Sequence, residues 1–391
     1  MSLYAKRGVS AQKEEVHAAI QKLDQGLYPH AFCKMYPDYM MGDDNYVNIM
    51  HADGAGTKSI LAYLYWKETG DVSVWEGIAI DAVAMNLDDL LCVGVTDNIL
   101  FSSTIDRNKK VIPGSVLEAV INGTQSFFDT LASYGVQVHY LGGETADVGD
   151  VVRTIAVNGT MQSRWPKSKL ITNQNIAAGD VIVGFASSGK ASYEKEYNSG
   201  LGSNGLTSAR HDVLSNYYAT KYPETFEPTL DRDVVYLGKN KMTDTLAIDG
   251  FAEPISIGKL LLSPTRTFAP VMKKIFEQYR SNIAGIIHNT GGGASKCLHY
   301  IPNNLKIVKD NFLPAPLIFR LIQKTVNTPW AEMYKVFNMG NRLEIYTDEA
   351  TADGIIAISK SFNIDAQIIG RVEESDKKEL VIKLGEEELR Y

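Results

Sequence analysis

Four short glycine-bearing clusters, each placed where a strand-like run ends, constrain the fold of this 391-residue chain more than any other feature. Asp53-Gly54-Ala55-Gly56-Thr57-Lys58 follows residues 45–52, which alternate like a strand, and precedes a helical pattern over 59–67. Gly142-Gly143-Glu144-Thr145 closes a strand-like run over 136–141, and Ser203-Asn204-Gly205 opens a helix predicted over 204–215. Asn289-Thr290-Gly291-Gly292-Gly293 joins an apolar strand over 283–287 to a helix predicted over 294–300. Strand, glycine turn and helix in succession build α/β folds. Glycine also lets backbone N–H groups approach phosphate oxygens, and carboxylates hold the Mg²⁺ that accompanies a polyphosphate, so the four clusters together point to ATP chemistry.

The same alternation continues between the clusters. A helical pattern over 74–93, a strand over 97–103, a proline-led helix over 113–134 and a strand over 151–161 fill the first half. The second half holds a strand over 180–186, a polar loop over 187–202 and a helix running from Pro264 to 279. Helices near 314–326 and 349–361 and strands near 342–346 and 364–372 complete it. Polar residues around Pro166 and Asn173-Gln174-Asn175 mark a joint. A single core rarely grows past about 250–300 residues. The expectation is therefore an α/β protein of α+β type with domains at 1–170 and 171–391, the second built on a mixed sheet flanked by helices.

Hydrophobic residues at 45% can fill two cores, while 22% charged residues and a net charge of −7 argue against a non-specific nucleic-acid surface. A small-molecule substrate is expected. No run approaches the roughly 18 apolar residues of a membrane span, and no apolar h-region follows the N-terminal residues. Cys33, Cys92 and Cys297 are far apart and odd in number, as expected of reduced thiols in a cytoplasmic protein.

Within the first cluster Thr57 separates the last glycine from Lys58, which excludes a Walker P-loop. Asp53 either ligates Mg²⁺ or caps the following helix. Thr57 can donate to a phosphate oxygen, and Lys58 either neutralises a transferring phosphoryl or is a solvated first-turn residue. Asp81, Asp88 and Asp89 sit on an otherwise apolar helical stretch, at spacings that share one face. A divalent cation would relieve the repulsion between Asp88 and Asp89. Glu144, after two glycines, suits a metal or a ribose. Thr290, Gly291, Gly292 and Gly293 present free N–H groups to an anion at a helix start. His288 either positions or protonates a reacting oxygen or is a structural imidazole, and Asn204 reads first as an N-cap.

The order of the motifs narrows this further. Asp-Gly-x-Gly-Thr-Lys (53–58), Asp-x-Val-Ala-Met-x-x-x-Asp (81–89), Gly-Gly-Glu-Thr-Ala (142–146), Ser-Ser-Gly (187–189), Ser-Asn-Gly-x-x-x-x-Arg (203–210), Pro-Thr-Arg (264–266), Thr-Gly-Gly-Gly (290–293), Glu-Met-Tyr (332–334) and Phe-Asn-Met-Gly (337–340) resemble, in sequence order, the phosphoribosylformylglycinamidine cyclo-ligases, also called aminoimidazole ribonucleotide synthetases. The likeness spans roughly residues 4–372. It implies an ATP-dependent ring closure in purine synthesis on a ribonucleotide substrate, through phosphorylation of an amide oxygen. The alternative is a kinase or another amide-activating enzyme of the same superfamily. It also implies a homodimer whose N-terminal halves build a shared sheet. On matching positions Asp53, Asp88, Asp89 and Glu144 would hold Mg²⁺, with Asp81 beside them. Gly54, Gly56, Thr57 and Lys58 would surround phosphate, Asn204 and Gly205 would border the substrate, and His288 with Thr290 to Gly293 would form the second-domain wall; Lys58, His288 and Asp53 would be catalytic.

The chain departs from that family at one telling place. The family reads Ser-Ser-Gly-x-His-Ser-Asn-Gly without interruption, whereas here residues 190–202 intervene and Gly202 stands where the histidine would be. Lys190, Tyr193 and Lys195 of the inserted loop are the candidates to replace it. Asn338-Met339-Gly340 shows no mechanism from sequence.

Overall fold

The computed structural model describes residues 2–10, 14–20 and 22–391. Two mixed sheets, one per domain, carry the fold. The first consists of β1 (Met35–Pro37), β2 (Tyr46–Gly54), β3 (Ile99–Arg107), β4 (Val138–Asp147) and β5 (Ile155–Pro166), in the order β1-β2-β5-β3-β4. Only β3 and β4 run parallel. Along β5 every second residue is buried, so Ile155, Val157, Met161 and Trp165 face the helices and their neighbours face outward.

The helices Lys58–Thr69, Val74–Leu91 and Gly114–Ser133 cover that inner face. Gly114–Ser133 is amphipathic and buries Val116, Val120, Phe127, Phe128 and Leu131, with the Phe128 ring edge-on to Phe101 of β3 at 5.4 Å. Val74–Leu91 is buried almost all round, because it lies between the first sheet and the second domain.

In the second domain β6 (Val181–Ala186) is followed by a small hairpin of β7 (Thr245–Leu246) and β8 (Ile255–Ser256). Then come β9 (Ile283–His288), β10 (Leu305–Lys309), β11 (Asn341–Thr347), β12 (Ala366–Glu374), β13 (Glu379–Leu384) and β14 (Glu387–Arg390). The seven-stranded sheet is ordered β14-β13-β10-β12-β6-β11-β9; Glu349–Ser361 packs on β6 and β12, and Ala269–Tyr279 packs against that helix and against Val74–Leu91.

Three local expectations change. The helix expected from Pro264 begins at Ala269, and the N–H groups of Thr265 and Phe268 bond instead to Asp81 and Asp88, which holds the preceding residues outside the helix. The expected helix over 294–300 is a 3₁₀ segment, Gly293–His299, too short to supply a helix N-terminus for an anion. Strands β10, β13 and β14 were not anticipated; β10 ends in a fully buried Lys309, which breaks the apolar signature of a core strand.

The loop at 290–293 is locked by its own lack of side chains. Gly293 has φ +52, and a Cβ there would collide with the carbonyl oxygens of Tyr334 and Phe337. Gly293→Ala is therefore expected to lower stability by at least about 1–2 kcal/mol, the cost of the left-handed backbone alone, as read from the urea unfolding midpoint.

Candidate active site

The helix Val74–Leu91 runs along the seam between the domains with Asp81, Met85, Asp88 and Asp89 on one face, and each side chain reaches second-domain atoms. Asp81 Oδ1 accepts from Lys58 Nζ at 2.8 Å, Ser203 Oγ at 3.0 Å and the Thr265 N–H at 2.7 Å. Lys58 also donates to the Ser263 carbonyl at 2.6 Å. Asp88 accepts from Thr267 Oγ1 at 2.5 Å and the Phe268 N–H at 3.2 Å. Asp89 sits between two imidazoles, His288 Nδ1 at 2.7 Å and His51 Nε2 at 3.1 Å.

These environments separate the acids. Burial pushes the Asp88 carboxyl up to about 7, against the pull of Arg342 and its hydrogen bonds. Burial would also raise Asp89, yet His51 and His288 outweigh it and hold that carboxyl well below the usual carboxylate range. Burial, reinforced by Arg342, pushes His288 down to about 4 despite Asp89. His288 is thus neutral near pH 7, with Nδ1–H donating to Asp89 and Nε2 left as a bare acceptor.

Three of the four glycine clusters meet at this seam. Thr57 Oγ1 lies 3.2 Å from Thr207 Oγ1, and Ser203 bonds to the Asp81 that pairs with Lys58, which joins the first cluster to the third. Asn204 Nδ2 stands 3.8 Å from where a Gly291 Cβ would be, which joins the third to the fourth. Asp53, Ser203, Asn204 and Gly291 are half-buried, and Gly56 and Thr57 are exposed, so the seam has a mouth. Five polar atoms on it, Asp81 Oδ2, Asn204 Oδ1, His288 Nε2, Asn289 Oδ1 and Arg342 Nε, are buried without a hydrogen-bond partner among the described residues. Buried polar atoms are nearly always satisfied, so such a concentration marks a place built for a ligand.

The second cluster stands apart. In register Glu144 shares a row with Thr104 of β3, Asn158 of β5 and Gly54 of β2, which places it on the outer face of the sheet, where it is exposed. Asp53 has the inward parity of β2 and lies three strands away, about 14 Å at a spacing of ~4.8 Å per strand. Asp53, Asp88, Asp89 and Glu144 therefore do not form one cage. Among the described residues no group of three or more His, Cys, Asp or Glu side chains is disposed to hold a metal ion. Asp88 and Asp89 are engaged by protein donors, and Asp53, half-buried at the mouth, accepts from the Gly54 N–H at 2.7 Å. Lys58 is fully buried on Asp81 and is neither solvated nor at the mouth.

Several contributors had no role legible in sequence. Arg342, on β11, is 1% exposed and enters the seam beside Met85. Asn338 ties down the inserted loop by accepting from Ser187 Oγ at 3.0 Å and donating to the Gly200 carbonyl at 2.9 Å. Glu194 of that loop takes Arg266 through both carboxylate oxygens, at 2.9 and 2.5 Å. Beneath the triple glycine, Glu344 bonds both Lys309 Nζ at 2.6 Å and Asn289 Nδ2 at 2.7 Å, and Lys309 reaches the Ala294 carbonyl at 3.0 Å. Paired positions this far apart in sequence leave no periodic signal.

Residues 39–164 match the model of the AIR synthase related protein N-terminal domain, and residues 258–383 match that of its C-terminal domain. Together the two cover more than half of the chain. The chain belongs to the AIR synthase related family. Among the relatives of this family member is the phosphoribosylformylglycinamidine cyclo-ligase of Methanocaldococcus jannaschii, 29% identical over 85% of this chain and 79% of that protein. Its counterpart from Carboxydothermus hydrogenoformans is 29% identical over 90% of this chain and 88% of that one. The fold is shared with a solved structure of AaThiL complexed with AMPPCP and TMP, at TM-score 0.55 and 12% identity, covering 97% of this chain and 96% of the other.

Because Lys58 and Asp81 are both fully buried, removing one strands the other's charge. Lys58→Met is expected to lower stability by about 3–5 kcal/mol, measured by equilibrium urea unfolding. An unchanged midpoint would return Lys58 to a purely chemical role.

Proposed function

We propose that the protein is an ATP-dependent cyclo-ligase of purine synthesis that closes formylglycinamidine ribonucleotide to aminoimidazole ribonucleotide. The observation that carries this reading is the convergence of three glycine-bearing clusters and five unpartnered buried polar atoms on one interdomain seam, in a chain of this family.

An amide oxygen is a poor leaving group until it carries a phosphoryl group. In the first step that oxygen attacks the terminal phosphorus of ATP, an O–P bond forms and the bond to ADP breaks. The ring-forming nitrogen then attacks the activated carbon, the C–O bond breaks with release of phosphate, and the nitrogen gives up a proton. Thr57 and the free N–H groups near Gly56 and Gly291 bind phosphate oxygens. Asn204 and the backbone at Gly205 orient the ribonucleotide. His288 offers Nε2 as the acceptor for a proton at the reacting amide, with its tautomer fixed by Asp89. The buried acids and hydroxyls between helix Val74–Leu91 and residues 264–268 leave little room for water, which protects the activated amide from hydrolysis.

ATP fits the donor and acceptor set at the mouth. Mg²⁺, held by Asp53 together with phosphate oxygens, would supply charge neutralisation during phosphoryl transfer. Glu144 belongs to a different surface. The outer face of the first sheet carries exposed Met50, Leu100 and Leu141, and a second copy pairing there would bring Glu144 into an intersubunit groove. No helix among the described residues is long and apolar enough to cross a membrane, and a cytoplasmic homodimer completes the reading.

ADP should form from Mg²⁺-ATP only when formylglycinamidine ribonucleotide is present, with aminoimidazole ribonucleotide as product. Folded protein that releases no ADP above background with it, but does so with another acceptor, would sink the cyclo-ligase reading. Asp53→Asn is expected to reduce turnover by at least about 10²-fold while leaving the unfolding midpoint unchanged. Activity within a factor of two of the unmodified enzyme would remove Asp53 from the metal role; it is not the cap of the following helix, whose N-cap is Thr57.

A further inference from the structure

The residue that should fill the family's histidine position is glycine, and the structure shows what occupies that space instead. Gly202 has φ +71, and a Cβ on it would overlap Nη1 of Arg342. The guanidinium therefore stands where a side chain at 202 would be. None of the inserted-loop candidates comes there: Lys190 and Lys195 are exposed, and the Tyr193 hydroxyl donates to the Thr267 carbonyl at 2.5 Å.

Arg342 is held in an unusual state for a buried cation. It is 1% exposed, its hydrogen-bond partner among the described residues is the Met85 sulfur at 3.2 Å, and its Nε has none. Burial pulls its pKa below the usual arginine range, and the charges of Asp88, Asp81, Asp89 and Asp53, in decreasing order, offset part of that cost through space. All four are engaged by other donors: Thr267 and Phe268 at Asp88, Lys58, Ser203 and Thr265 at Asp81, His51 and His288 at Asp89, and the Gly54 N–H at Asp53. A guanidinium has a planar fork of five N–H donors suited to bidentate binding of an oxyanion, and leaving such donors unmet inside a protein is costly. Of the five unpartnered atoms on the seam, Asp81 Oδ2, Asn204 Oδ1, His288 Nε2 and Asn289 Oδ1 are acceptors suited to a ligand's hydroxyl or N–H groups, and Arg342 Nε is the donor.

We propose that Arg342 is an anion-binding residue of the seam, meeting a phosphoryl oxygen from the position that a side chain at residue 202 would otherwise fill. The phosphoryl group comes either from the terminal phosphate of the nucleotide or from the ribonucleotide substrate. This rests on the function proposed above for its ligands, but the anion site itself does not depend on which ligand is correct.

The test uses the full-length protein, Arg342→Met as an uncharged side chain of similar reach, and Gly202→Ala as a second variant that pushes the guanidinium aside. Binding is read by ligand-induced thermal shift and titration with Mg²⁺ and AMPPCP, with formylglycinamidine ribonucleotide, and with inorganic phosphate. Arg342→Met should keep or raise the ligand-free unfolding midpoint, because it removes a charge that has no contacting counterion. It should weaken phosphate and one of the two organic ligands by at least tenfold, and the ligand affected identifies the source of the phosphoryl group. Gly202→Ala should reproduce the loss. Affinities within twofold of the unmodified protein for all three probes would overturn the proposal, as would loss of binding accompanied by a lowered ligand-free midpoint in Arg342→Met. If the ribonucleotide does not shift the unmodified protein while phosphate shifts it and not Arg342→Met, the anion site stands and the cyclo-ligase reading fails. An unmodified protein that none of the three shifts overturns both.

Discussion

Asp81 is the contact on which the arrangement of the two domains turns. It is fully buried, and one of its oxygens gathers a lysine from the helix after β2, a hydroxyl from the third glycine cluster and a backbone N–H from the second domain. A buried ion pair is weak evidence for stability, because desolvation offsets most of the Coulomb gain. It is strong evidence for geometry. Any sliding of the second domain along helix Val74–Leu91 would break several of these bonds at once and leave a bare carboxylate in the interior.

The consequences run outward along the chain. Asp81 and Asp88 take the N–H groups of Thr265 and Phe268, and residues 264–268 run along the seam ahead of the helix that begins at Ala269. That conformation lets Arg266 meet Glu194 and the carbonyls of Ala186 and Ser188, each at 2.9 Å. The inserted loop is pinned there, and Asn338 holds its far end. Gly202 is thereby fixed against Arg342, so an insertion that looks like a departure from the family pattern ends by placing a cation at the same point of the seam.

What could be read from sequence follows from what local patterns encode. Strand and helix periodicity gave β2, β3, β5, β6, β9 and the long helices to within a few residues, and the glycine clusters pointed to the seam through Thr57, Ser203, Asn204 and Gly291. The shared face of Asp81, Asp88 and Asp89 was legible because a helix converts spacing into direction. The strand β4 runs on through the second cluster to Asp147, and the face that Glu144 takes was not legible, because it depends on register across β5 and β3. Arg342 and the Lys309–Glu344 pair were hidden because a charged residue in a strand reads as solvated until its long-range partner is known.

An acid-rich seam is at first sight a poor place for a polyanion. The structure resolves this by engaging each buried acid with dedicated donors: Lys58 for Asp81, a hydroxyl and an N–H for Asp88, and two imidazoles for Asp89. Asp88, pushed up to about 7 by burial, carries only part of a charge near neutrality. Electrostatic interactions in such an interior are several times stronger than in water, so an arginine without a contacting carboxylate contributes a large local field. The acids then offset part of the burial cost of the Arg342 charge rather than repel what it binds, and a bound anion would meet the guanidinium donors that the described residues leave without partners.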